Sequence, residues 1–441
     1  ILISKFPILL IDESQDTKKE LIDAFFELQK IKSTYFSLGL FGDTMQRIYS
    51  DGKVDLESQL PDDWIKPAKK LNHRSNKRII TLINNIRNNV DGQKQIPRFE
   101  KEEGYVRLFI IKRSLTDKKL LEQRVAKKMS ELTIDKFWDT DLHTADVKTL
   151  ILEHHMAARR MGFLDFFEPL YKEDRLSTGV LDGSLGGVSF FTKIILPLIE
   201  AKDANDKFAI ARIVKRYSKF MHRDEILKSP EQIENLKKSK DGLLKLFALW
   251  DNATEPLLID ILQKVAETEL FPIPDSLQPI ATRTKGEQAI ANDFKGDEQE
   301  NEDVGDSVIN AWDLALANPF SQIKKYHTYL SEESKFGTHQ GVKGLEYPRV
   351  MVILDDEEAR GFLFSYDKLF GSKELSATDK KNLLEGKETG IDRTRRLFYV
   401  ACSRAKESLA IVAYTDNTEL VRKNALEFGW FENNEIVIML S

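Results

Sequence analysis

The stretch Phe6-Pro7-Ile8-Leu9-Leu10-Ile11-Asp12-Glu13-Ser14-Gln15-Asp16 decides how the rest of the chain is read. Four consecutive aliphatic residues between a proline and a run of acids predict a buried strand, because a central parallel strand is apolar on both faces. Asp12 and Glu13 then stand at its C-terminal tip, where open α/β sheets bind their ligands. Adjacent carboxylates at such a tip suit a hydrated magnesium ion and a water to be activated. An Asp-Glu pair after an apolar run is also what a solvated strand end looks like, so the residues downstream of Asp16 have to decide between the two.

Thr17 to Lys32 carries Leu21, Ile22, Ala24, Phe25, Phe26, Leu28 and Ile31 at helical spacing. A second short strand, Phe36 to Phe41, runs into Gly42-Asp43-Thr44-Met45-Gln46-Arg47-Ile48-Tyr49, again a polar cluster after a strand tip. Ser75 can cap a helix through Ile79, Ile80, Leu82, Ile83 and Ile86. Strand Tyr105 to Ile111, a helix from Leu120 to Leu132 and strand Val147 to Leu152 continue the alternation that implies a mainly parallel sheet. Glycines cluster in Thr178 to Gly187, and from there to about Lys325 the pattern is almost entirely helical. Thr282 to Asp306, with its run of repelling acids, predicts a loop. Strands return at Tyr347 to Leu354, Leu409 to Tyr414 and Ile436 to Leu440. The chain therefore predicts a helical domain inserted into an α/β domain.

With 441 residues, 41% of them hydrophobic and 31% charged, there is enough apolar material for two or three cores, and fibrous or globally disordered classes are excluded. A net charge of −5 announces no global basic field, though local basic surfaces remain open. A single cysteine, Cys402, excludes an internal disulfide framework and a cysteine-built zinc site, and fits a reducing cytoplasm. No apolar run reads as a membrane span and no signal peptide is evident. The chain starts at Ile1 and goes directly into a core-type strand, which predicts that it is the C-terminal portion of a longer polypeptide.

Three further stretches place polar residues beside apolar runs: Asn72-His73-Arg74-Ser75, Thr338-His339-Gln340-Gly341-Val342-Lys343-Gly344-Leu345-Glu346-Tyr347, and Arg395 to Ala405. Paired acids, a Gly-Asp-x-x-Gln loop and separated arginines are the parts that nucleotide hydrolysis needs: carboxylates for magnesium, a base for water, cations for the transferring phosphoryl group. In this order the stretches resemble motifs II to VI of the UvrD/Rep/PcrA type of superfamily 1 DNA helicase, and Gly186-Gly187-Val188-Ser189-Phe190-Phe191 looks like the start of that family's inserted domain.

The resemblance implies an α/β fold with two RecA-like parallel-sheet motor domains, the first incomplete here, and a mainly helical domain inserted in the second. The corresponding spans are 1–70 (motifs II and III), 71–178 (motif IV), 179–332 (the insert) and 333–441 (motifs V and VI). It further implies ATP and Mg2+ as cofactors. Asp12 would hold magnesium together with Glu13, and Glu13 would polarise the attacking water. Gln46 would sense the γ-phosphate, Arg74 and Arg404 would reach it as arginine fingers, and Glu346 would bind the ribose. Tyr49, Thr338, His339 and Lys343 would meet the DNA strand or couple it to the nucleotide, with Tyr49 stacking on a base.

No Gly-x-x-x-x-Gly-Lys-Ser/Thr loop occurs in the chain, so the phosphate cradle is expected upstream of Ile1, and the numbered chain alone is expected not to hydrolyse ATP. His73 stands where the family usually has a tyrosine that stacks on adenine, and Ser50-Asp51-Gly52 replace an expected aromatic-Arg-Gly sequence. The resemblance leaves two functions as expectations. One is an ATP-dependent 3′-5′ helicase or translocase acting on single-stranded DNA and duplex junctions. The other is a helicase-like DNA-sensing or scaffold subunit of an anti-phage complex with an OLD-type nuclease partner, the Gabija arrangement being an example in the family. Both place the protein in the cytoplasm, away from membranes.

Overall fold

The α/β part is built, in chain order, from β1 (Ile8–Ile11), α1 (Lys19–Ile31), β2 (Ser37–Leu40), β3 (Leu71–Asn72), α2 (Lys77–Arg87), β4 (Ile96–Pro97), β5 (Tyr105–Lys112), α3 (Lys118–Thr133), β6 (Lys148–Ile151), β7 (Phe336–Thr338), β8 (Tyr347–Leu354), α4 (Gly390–Cys402), β9 (Ala405–Thr415), α5 (Thr418–Glu427) and β10 (Ile436–Met439). The computed structural model describes residues 2–49, 51–54, 56–88, 90–221, 232–251, 255–283, 304–361 and 363–439. The chain folds as two units, Ile1–Met156 with Lys335–Ser441, and Ala157–Ser334.

In the first unit a six-stranded sheet has the order β10-β5-β9-β8-β6-β7, and its strands pair in parallel. Its central strands are buried on both faces, as the unbroken apolar runs require. Val106, Leu108 and Ile110 of β5 join Ile79, Leu82, Ile83 and Ile86 of α2 and Leu397 to Cys402 of α4 in one core, while the alternate residues Phe109 and Ile111 are equally buried. Met45 and Ile48, from the loop after β2, belong to that same core. The loop that carries Gln46 is thus held by apolar packing against the six-stranded sheet's helices.

β1 and β2 form a separate two-stranded parallel sheet, Ile8 opposite Ser37 and Ile11 opposite Leu40. The expectation of a strand buried on both faces is not met. Ile8 and Leu10 are 64% and 63% exposed, and only the alternate residues Leu9 and Ile11 are partly covered. An apolar run marks a strand, but burial needs a layer on each face, and among the described residues β1 has one neighbour.

The second unit is helical. Its first part starts earlier than residue 179, because helices Leu164–Lys172 and Asp174–Asp182 belong to its core: Phe166 and Phe167 pack on Tyr326, whose hydroxyl donates to the Val180 carbonyl at 2.6 Å. Gly187 is needed for close packing, since a Cβ there would lie 2.6 Å from the Trp312 ring. The run Asp174–Asp203 is long and apolar enough to cross a membrane by length and composition, contrary to the expectation that no such run exists; 61% of its most apolar stretch is buried inside the protein, as in a core helix. Most of the expected Thr282 to Asp306 loop, 284–303, lies outside the described residues, and helix Val304–Leu316 comes after it.

Candidate functional site

The tip of β1 is a turn whose shape is set by its own polar side chains. Glu13 takes the left-handed conformation, φ 52° and ψ 39°, uncommon for a residue with a side chain. Its N–H donates to Asp12 Oδ1 at 2.9 Å, and the Ser14 N–H donates to the Phe41 carbonyl at 2.9 Å, which joins the tips of β1 and β2. Buried Gln15 bridges the two: its Nε2 donates to Glu13 Oε2 at 2.6 Å and its Oε1 accepts from the Asp43 N–H at 3.2 Å. Gly42 permits this approach, because a Cβ at that position would overlap the Gln15 amide oxygen.

The cationic side of the site comes from the N-terminal ends of two strands in the six-stranded sheet. β8 and β9 are parallel neighbours with Tyr347 opposite Ala405, so Glu346 and Arg404, one residue before each strand, are brought side by side. The Tyr347 N–H donates to the Arg404 carbonyl at 2.9 Å, and the Ser75 hydroxyl donates to the Ala405 carbonyl at 2.7 Å, which draws in Arg74. Arg74 Nε lies 2.9 Å from Glu346 Oε2 and its Nη1 donates to the Ser403 carbonyl at 3.1 Å. Arg404 is 1% exposed; its guanidinium donates to the carbonyls of Val400 at 3.0 Å and Leu345 at 3.3 Å and to Ser403 Oγ at 2.7 Å.

The two sides meet electrostatically. Lys343 Nζ lies 2.9 Å from Glu13 Oε2 and pairs also with Asp16. Burial raises the Glu13 carboxyl, but Lys343, Gln15 and the charge of Arg404 outweigh it and hold the acid below its ordinary value, ionised at neutral pH. Burial and the like charge of Arg74 pull the Arg404 guanidinium down to about 10, offset in part by Tyr399, Glu13 and Glu346. Arg74 and Lys406 keep Glu346 below the usual carboxylate range. Acids from β1 and a pair of arginines from sequence-distant segments therefore share one field.

Among the described residues no three His, Cys, Asp or Glu side chains are grouped to hold a metal unaided. Magnesium does not require that: it is commonly bound through one or two carboxylates with phosphate oxygens and water completing the octahedron. Asp12, exposed, and ionised Glu13 fit this donor set. Two arginines with a pendant carboxylate, Glu346, fit an anionic ligand that also offers hydroxyls.

The other residues expected at the site lie around this centre or beneath it. Gln46 is partly buried, its Nε2 donating to Asp43 Oδ2 at 3.3 Å. Tyr49 is 48% exposed, its N–H 3.4 Å from Asp16 Oδ1. Thr338 ends β7 and its Oγ1 accepts from the Gly341 N–H at 2.9 Å. Lys343, expected on a DNA-facing surface, is turned toward Glu13 and Asp16, because two carboxylates attract an ammonium more strongly than open water does. His339 departs furthest from expectation: it is fully buried beneath the β6 and β7 ends, with Nδ1 2.9 Å from the Tyr366 hydroxyl, and presents nothing to a DNA strand. Its backbone N–H donates to the Ile151 carbonyl at 2.8 Å, which continues the sheet pairing and directs the side chain inward.

Sequence reasoning missed a second set of residues. Arg87 lies in the core-facing row of α2, one turn after Ile83, and is 2% exposed; an arginine at an apolar-period position was the available signal. It pairs with Asp43 at 3.2 Å and with Asp91 at 2.5 Å. Glu388 takes both Arg47 and Arg396, and Arg396 Nε donates to the Arg47 carbonyl at 2.7 Å.

Lys343→Met removes the strongest opposition to burial at Glu13, so the Glu13 carboxyl is expected to titrate at higher pH than in the wild type, read by carbon NMR of selectively labelled glutamate. For His339, burial holds the imidazole pKa down to about 4. The unfolded chain takes its proton near 6.5, so between those values the unfolded state binds more protons, and stability is complete above about pH 6.5 and falls as pH drops toward 4. The span corresponds to roughly 3 kcal/mol. His154 is likewise held down to about 4, so His339→Gln is expected to remove only part of the acid slope in denaturant unfolding measured from pH 7 to pH 4.

No family model matches the chain. The chain is 26% identical, over an alignment 455 positions long with its gaps, to the Gabija protein GajB of Bacillus cereus (strain HuB5-5), and the alignment takes in 97% of this chain. It spans 61% of that relative's own length.

Proposed function

We propose that the chain is the nucleotide-responding, DNA-sensing part of a helicase-like anti-phage defence protein of the Gabija type, cytoplasmic and partnered with an OLD-type nuclease. In this reading β1 and β2 belong to one RecA-like motor domain and the six-stranded sheet to a second. The observation that carries it is the meeting of Glu13 with Lys343 and with the field of Arg404, three residues from distant segments. Similarity to a Gabija protein along nearly the whole chain supports the defence context.

Each residue has its own part in the work. ATP binds between the β1 tip and the arginine pair, with Asp12 and Glu13 toward magnesium, which when bound neutralises phosphate charge. Glu13, kept ionised, accepts a proton from the attacking water. Arg404 and Arg74 sit where charge builds on the terminal phosphate, and burial strengthens Arg404 by removing competing water. Glu346 takes the ribose hydroxyls. A DNA phosphate near the loop of Lys343 competes with Glu13 and Asp16 for its ammonium, which links strand occupancy to the freedom of the base.

The test uses the protein as encoded, with and without its co-encoded nuclease. The expected result is a stable complex by mass photometry and ATP turnover that changes on adding single-stranded DNA. No complex and DNA-independent turnover would contradict the proposal. A 3′-5′ translocase is the second reading, favoured by exposed Tyr49 placed beside Asp16, a stacking platform next to the acids. Unwinding of 3′-tailed but not 5′-tailed duplexes would distinguish it.

A further inference from the structure

Gln46 and Arg74 are carried by loops of different sheets, yet a continuous line of hydrogen bonds joins them. Asn72 Oδ1 accepts the N–H groups of Arg74 at 2.8 Å and Ser75 at 2.9 Å, which fixes the turn that presents Arg74. Asn72 Nδ2 donates to Gln95 Oε1 at 2.5 Å, and Gln95 Nε2 donates to the Tyr399 hydroxyl at 2.8 Å. Tyr399 in turn donates to Asp43 Oδ2 at 3.2 Å, the same oxygen that accepts from Gln46 Nε2 at 3.3 Å. Donors and acceptors alternate along the line without conflict, the condition under which a polar network holds one arrangement.

Arg87 braces the middle of this line. Its Nη1 donates to the Tyr399 hydroxyl at 3.1 Å and to Asp43 Oδ2 at 3.4 Å, and its Nη2 to Asp43 Oδ1 at 3.2 Å. Asp91 fixes the other side of the guanidinium through Nε at 3.0 Å and Nη2 at 2.5 Å. Tyr399 is completely buried and Arg87 nearly so. Burial and the neighbouring Asp43 push the phenol upward, so its proton stays in place to be donated. A phenylalanine would fill the same core volume, and a buried hydroxyl costs free energy unless it is bonded. The oxygen is therefore explained by what it connects.

We propose that the Tyr399 hydroxyl, braced by Arg87, is a positioning group that sets Gln46 and Arg74 in register on one terminal phosphate. The inference rests on the ATP-binding reading above and deepens it. Neither Tyr399 nor Arg87 touches the nucleotide; each acts through Asp43 at one end and through Gln95 and Asn72 at the other. Gln46 Nε2 carries two N–H donors, so one can stay on Asp43 while the other meets a phosphate oxygen.

The distinguishing measurement is the ratio of affinities for a non-hydrolysable ATP analogue and for ADP, which lacks the terminal phosphate. It is made by calorimetry on the protein as encoded, alongside thermal unfolding. Tyr399→Phe is expected to weaken the ATP analogue by about tenfold, the scale of one hydrogen bond to a charged group, and to leave ADP affinity unchanged. Gln95→Met, at a half-buried position where substitution is better tolerated, breaks the same line and is expected to give the same selective loss. Combined with Gln46→Ala, Tyr399→Phe is expected to cost less than the sum of the two single changes, because the part it exerts through Asp43 is already lost. Equal losses for both nucleotides, no loss, or simple additivity with Gln46→Ala would overturn the relay while leaving the nucleotide site in place. A wild type that binds neither nucleotide would overturn the ATP reading and the relay together.

Discussion

Glu13→Gln is expected to lower ATP turnover of the encoded protein by about 10²–10⁴-fold, the range associated with loss of a general base. The substitution keeps the shape of the side chain, and an amide oxygen can still accept from Gln15. Lys343 retains Asp16 as its partner. The Glu13 side chain is 47% exposed, so its ion pair contributes little to folding and the melting temperature is expected to stay close to that of the wild type. Turnover at saturating DNA, compared with affinity for a non-hydrolysable analogue, separates the two effects: binding persists and hydrolysis is lost. Unchanged turnover would remove Glu13 from the chemistry.

Arg404→Lys is expected to cost about 10³-fold or more in turnover, the scale of an arginine that stabilises a transferring phosphoryl group. Unlike the change at Glu13, it is also expected to destabilise the fold. The guanidinium satisfies the Val400 and Leu345 carbonyls and Ser403 Oγ from one planar fork, and an ammonium cannot reach all three. Each buried acceptor left without a donor costs about 1–3 kcal/mol. Charge is weakened too. Arginine itself is pulled down to about 10 at this position by burial and Arg74, and a lysine starts from about 10.4 before the same two influences act on it. A lower melting temperature together with lost turnover is the expected pair of results; a stable variant with normal turnover would contradict the assignment.

Five of the six strands of the large sheet were legible, the central ones because burial on both faces demands uninterrupted apolar runs, and Tyr347–Leu354 is found with the bounds the pattern indicates; β7 was not, since its three half-buried residues Phe336–Thr338 make no apolar run. Helix α2 was legible from its isoleucines at helical spacing. The proximity of Glu346 to Arg404 could be anticipated only through the resemblance, since it results from β8 and β9 being parallel neighbours, a pairing that no local pattern contains. β1 misled for the opposite reason: its residues are those of a central strand, while its exposure depends on which elements lie against it. His339 and Lys343 show the limit at the level of side chains. Residue type marks both as polar, yet a ladder hydrogen bond to Ile151 turns one inward, and two nearby carboxylates turn the other toward Glu13. Arg87 and Gln95 lie outside the quoted motifs, and their partners Asp43 and Tyr399 are distant in sequence, so the line between Gln46 and Arg74 emerges only in three dimensions.

Glu13, Arg74 and Arg404 are proposed to serve one triphosphate. The most direct measurement is a crystal or cryo-microscopy structure of the encoded protein with magnesium and a non-hydrolysable ATP analogue. The terminal phosphate is expected within about 3 Å of guanidinium nitrogens of both Arg74 and Arg404, with Glu13 facing its far side across a water. A triphosphate bound elsewhere, or bound at the β1 tip with both arginines still turned wholly onto Glu346, Leu345 and Val400, would contradict that proposal.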